Sequence, residues 1–89
     1  MRFEVFEIRR AYGPNGWEVS REFIQAFEGL NGFPAAAQAA ADLALVGKVT
    51  EIWGIQDTLK GEERRLVGVL SWWSFRRGAT TLTYDTDYL

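Results

Sequence analysis

The chain predicts an α+β domain of order β-β-α-β-β-β, in which one Ala-rich helix packs on an antiparallel sheet. Aromatic and β-branched runs flank turn residues at "GPNG" and "RRG", which is the pattern of hairpins. The segment "FPAAAQAAADLALVG" has strong helix-forming composition. The 89 residues are enough for one core and too few for two, so residues 1–89 are read as one globular domain.

Residues 2–12, "RFEVFEIRRAY", and 17–27, "WEVSREFIQAF", are the first two strands. Pro14 presets the turn between them, and Asn15-Gly16 tolerate positive φ. If Tyr12 pairs with Trp17, Phe6 falls opposite Phe23, and one face collects Phe6, Ile8, Tyr12, Trp17, Val19 and Phe23. Phe3, Val5, Ile24 and Ala26 share the other face near the open end. A hairpin apolar on different faces at its two ends requires strong twist or a bulge near Val5-Phe6. Residues 20–30 also fit a short helix capped by Ser20, with Phe23, Ile24, Phe27 and Leu30 on one side. The strand is preferred because the first strand needs a partner of similar length.

The helix is expected over about residues 34–46. Pro34 suits its first turn, and Gly47 followed by Lys48 stops it. Gln38 and Asp42 lie on one stripe, while Ala36, Ala40 and Leu43 line the stripe turned to the sheet. "VTEIWGIQ", 49–56, is the third strand, with Val49, Trp53 and Ile55 on one side and Ile52 on the other. "DTLKGEE" is its turn, and "RRLVGVLSWWSF", 64–75, is the fourth strand.

A two-residue turn at Arg77-Gly78 then pairs the fourth strand with "TTLTYDTDYL", setting Trp73 opposite Leu82 and Ser71 opposite Tyr84. Val67, Val69, Trp73 and Phe75 share a core face with Leu82 and Tyr84. Leu66, Leu70 and Trp72 share the opposite face with Asp85 and Asp87. Trp73 is therefore assigned to the core. Trp72, with Leu70 and Leu66, is the candidate contact surface, bordered by Asp85 and Asp87, with Arg76 and Arg77 at the adjoining turn. The alternative is that Trp72 closes over Phe3, Val5 and Ile24 as a lid.

Composition removes several chemistries. With no Cys there is no disulfide, thiolate nucleophile or Cys-ligated metal, and with no His the commonest general base is missing. No metal and no cofactor is expected, and Ser20, Ser71 and Ser74 have no histidine to activate them. Asp85 and Asp87 could hold a divalent cation, but no third ligand is indicated and a solvated acidic edge is the simpler assignment. The stretch 33–46 is too short to span a bilayer and no secretory leader is visible, so a cytoplasmic, membrane-free protein is expected. A net charge of −2 argues against a nucleic-acid module that works through a broad basic field.

In size, acidity and lack of catalytic residue types the chain is similar to compact phage-encoded inhibitors of host defence such as the anti-CRISPR proteins. That similarity of type implies an inhibitor or adaptor that acts by binding a protein. The expectation is thus a small non-catalytic protein-binding module. The alternatives are a nucleic-acid-binding domain using the Arg pairs 9-10, 64-65 and 76-77, and a homodimer formed through an exposed strand edge.

Overall fold

The computed structural model describes residues 1–71 and the backbone of residues 83 and 84. The elements are β1 (Arg2–Gly13), β2 (Gly16–Glu28), α1 (Gly32–Leu45), β3 (Val49–Thr58), β4 (Gly61–Leu70) and the two-residue β5 (Thr83–Tyr84). They form one antiparallel sheet of order β2-β1-β3-β4-β5, with α1 on one face. The α+β expectation holds.

Residues 20–28 are strand, not helix. Tyr12 faces Trp17 with ring centroids 5.4 Å apart, and Phe6 faces Phe23 at 5.7 Å. The register slips between Val5 and Phe6, leaving Ile24 of β2 without an opposite residue. This is the bulge that the two apolar faces of the hairpin require.

Residues directly opposite in neighbouring strands share a face. Phe3, Val5 and Glu7 of β1 therefore lie with Gly54, Ile52 and Thr50 of β3 on the side covered by the helix. Val5, Ile52 and Leu70 are the buried side chains beneath Ala36, Ala40 and Ala44. Burying each such aliphatic group stabilises the fold by about 1.5–3 kcal/mol. Thr50, also buried, satisfies its hydroxyl by donating to the Leu70 carbonyl at 3.1 Å. Phe33, early in α1, packs on Phe3 with ring centroids 5.4 Å apart.

The helix starts two residues earlier than expected, and its buried positions are Gly32, Ala36, Ala40 and Ala44. Leu43, placed in that stripe from the sequence, is half-buried at its margin because the close contact admits only methyl-sized groups along the centre. Gly47, with φ +89°, ends the helix: its N–H bonds the Ala44 carbonyl, and the Lys48 N–H bonds the Leu43 carbonyl. This double bond pattern is the Schellman stop anticipated at Gly47-Lys48.

Three expectations are corrected on the second half of the sheet. The turn after β3 is only Leu59-Lys60, and Asp57 and Glu62 are paired in the ladder rather than looped out. Thr58 makes this tight closure possible, accepting from the Lys60 N–H and donating to the Gly61 carbonyl. A second slip, between Ile52 and Trp53, leaves Val67 of β4 without an opposite residue. That extra residue inverts the alternation, so Leu70 is 3% exposed in the helix-side core while Val69 is exposed on the opposite face. Finally, Tyr84 lies opposite Gly68 rather than Ser71. The expected turn at Arg77-Gly78 lies outside the described residues.

The helix contact is testable by substitution. Ala40→Glu places a charge where no exposed surface remains and should cost about 4 kcal/mol or more, seen as loss of the cooperative thermal transition in circular dichroism. Leu45→Glu, at the exposed end of the same helix, should shift stability by no more than about 0.5 kcal/mol.

Candidate functional site

With α1 on one side, the sheet has an opposite face that no described helix covers. β1 and β3 stop pairing at Ile8 and Val49. From Arg9 to Ser20, therefore, β1 and β2 continue as an arm in which no third described strand pairs with them. Strand alternation sets Arg10 and Tyr12 of β1 on the open face of this arm, beside Trp17, Val19 and Arg21 of β2. Phe6 and Phe23 join the arm to the middle of the sheet. Tyr12, Trp17 and Phe23 are 75%, 70% and 53% exposed.

The middle of the open face is organised by one carboxylate. Glu51, buried on β3, accepts from Arg21 Nε at 2.6 Å and from Trp53 Nε1 at 3.1 Å through Oε1. Its Oε2 accepts from the Arg21 guanidinium at 3.3 Å. The indole of Trp53 is thereby fixed beside Leu66, which lies directly opposite on β4. Arg21, from the edge strand, is drawn inward over the sheet.

The far corner is closed by charge. Ile55 points to the open face yet is only 2% exposed, flanked by Arg2 on β1 and Arg64 on β4. Arg64 donates to Glu4 at 2.6 Å and to Glu62 at 3.1 Å, and Arg2 donates to Glu4 at 3.2 Å and to Glu62 at 3.3 Å. The aliphatic stems of two arginines locked in this way cover an apolar residue while their heads stay in water.

On the helix side, Glu7 accepts from Lys48 Nζ at 3.0 Å and from Arg9 at 3.4 Å. The bond from Lys48 holds the Glu7 carboxyl below its usual range, against the opposing effect of burial and with help from Arg9. This contact ties the residue after the helix stop back to β1.

The residues expected to form the contact surface are thus divided. Leu66 lies on the open face; Leu70 does not. Trp72, Arg76, Arg77, Asp85 and Asp87 lie outside the described residues, as does Trp73. In the Arg pairs that are described, Arg9, Arg64 and Arg65 each make an ion pair with a neighbouring glutamate. Among the described residues no group of three or more carboxylates is placed to hold a metal ion. No helix among them is long and apolar enough to cross a membrane.

Tyr12, Trp17, Phe23 and Trp53 form the apolar part of the site and were not singled out from the sequence. Their shared hairpin face was visible in the alternation of residues 6–23. Which face the helix would leave open was not. Comparison with protein-family models, curated proteins and solved structures finds no match to this chain.

The Glu7 contact gives a pH prediction with a definite sign. A carboxyl whose folded value lies below the unfolded value of about 4.3 contributes stability above that value and loses it as pH falls through the folded one. The urea midpoint should fall between about pH 6 and about pH 3, and Lys48→Met should make that fall smaller at unchanged m.

Proposed function

We propose that the chain is a small non-catalytic module that binds a partner protein, as an inhibitor or adaptor, through the open sheet face and its arm. The observation that supports this is the run of exposed rings at Tyr12, Trp17 and Phe23 on one continuous face. Grouped aromatic side chains of this size are the commonest anchors of protein interfaces and are unusual on a surface that meets only water. The composition favours binding over catalysis, since histidine and cysteine are both missing. Ion pairing of Arg9, Arg64 and Arg65 favours a protein over a phosphate backbone, because these cations are already engaged by carboxylates.

The test is a comparison of the tagged chain with Tyr12→Ala/Phe23→Ala in capture from its source cell, followed by affinity measurement on the protein recovered. The double variant should keep the parent's circular dichroism and lose about 2 kcal/mol or more of binding energy, roughly thirtyfold in affinity. Capture of nucleic acid with steeply salt-dependent affinity, or equal binding by both forms, would overturn the proposal.

A further inference from the structure

β2 is the outermost strand of the sheet, and among the described residues nothing pairs with its free edge. Gly13 lies opposite Gly16 across the two-residue turn, and the residues that flank such a turn form a closely hydrogen-bonded pair. Alternation then turns the N–H and C=O groups of Trp17, Val19, Arg21 and Phe23 away from β1, toward the open edge. Ile24, at the bulge, ends the regular part of this edge. A long edge that no described strand protects is a template for another strand.

We infer that this edge pairs with the β2 edge of a second copy of the chain, antiparallel, with Val19 on the two-fold axis. Two constraints select that arrangement. The outward-facing backbone groups of both copies must meet, so the axis has to pass through a residue rather than between two. The candidate axes along the regular edge are residues 18 to 22. An axis at Glu18 or Glu22 sets that glutamate against its own copy, Arg21 sets two arginines together, and Ser20 sets Glu18 against Glu22. Like charges directly opposite in a ladder are destabilising.

Only the axis at Val19 avoids every such clash. It sets Val19 against Val19, Glu18 against the Ser20 hydroxyl, and Trp17 against Arg21 of the other copy. The last pair occurs twice and sets the aliphatic stem of Arg21, whose guanidinium Glu51 holds inward, beside an exposed indole. About six backbone hydrogen bonds join the copies. Both open faces fall on the same side of the joined sheet, and the arm gains the third strand that a two-stranded ribbon lacks. The inference goes beyond the partner-binding proposal and stands without it; Tyr12 and Phe23 lie outside the paired segment, so the two tests fail separately.

Sedimentation equilibrium of the full chain at up to about 100 µM should give twice the chain mass. Val19→Lys, at a half-exposed position, should keep the circular dichroism spectrum and weaken dimerisation at least about tenfold by opposing two ammonium groups on the axis. Val19→Pro, which removes an outward N–H and leaves the β1 bonds in place, should do the same. The chain has no cysteine, so single-cysteine variants report the register directly. Val19→Cys should form a covalent dimer under mild oxidation, and Phe23→Cys should not. A monomer at about 100 µM, wild-type dimerisation by Val19→Lys and Val19→Pro, or preferential crosslinking through Ser20→Cys would each overturn the inference.

Discussion

The contact between α1 and the sheet is made by residues with almost no side chain, and the remaining architecture follows from that closeness. Gly32, Ala36, Ala40 and Ala44 recur at every fourth position, so the helix lies down on Val5 and Ile52 with only methyl groups between the backbones. A Cβ at Gly32 would come within 3.3 Å of the Phe27 carbonyl oxygen, which shows how little room the approach leaves. Apolar bulk is supplied from the sheet side and by Phe33 on Phe3. The one described helix covers one face of the sheet, and no described helix covers the other.

That open face solves the problem differently along its length. At the corner over Ile55, four charged side chains interlock and hide an aliphatic residue. Individual ion pairs at such exposure contribute little, and their effect here is to hold arginine stems in place. In the middle, Glu51 anchors both Trp53 and Arg21, putting one well-satisfied carboxylate inside an apolar surface. Along the arm no such device among the described residues covers the rings of Tyr12 and Trp17. The surface is thus sealed by charge at one end and left aromatic at the other, which is the gradient the proposed contact through the arm would use.

The outer edge of β2 and the exposed rings are parts of the same ribbon, so the proposed recognition would be linked to stability. A two-stranded ribbon is marginal in water on its own, and among the described residues Arg9 to Ser20 is supported by its cross-strand pairs. The turn and the bulge set the register and the Tyr12–Trp17 and Phe6–Phe23 ring contacts add to it, yet they leave the outward backbone groups of β2 unpaired by any described strand. Whatever covers this ribbon therefore adds order as well as affinity, since its cost in conformational entropy is already partly met by the ring pairs.

The sequence by itself determined the features whose causes are local. Pro14, Asn15 and Gly16 specify the first turn, the turn specifies Tyr12 opposite Trp17, and the apolar pattern then demands the slip beside Val5 and Phe6. The Ala-rich segment and the Gly47-Lys48 stop are equally local, because helix propensity and capping act within a turn or two. Tertiary structure alone decided which side of the hairpin the helix would cover, and it decided the fate of Leu70. Alternation assigns faces only along an uninterrupted strand; the extra residue at Val67 inverts it, exposing Val69 and burying Leu70. The ion network was illegible for a related reason: Arg64 reaches Glu4 across sixty positions of sequence, and only the order β1-β3-β4 brings them together. Periodicity carries information as far as the next bulge, whereas strand order and face coverage are settled by packing between segments that the chain separates.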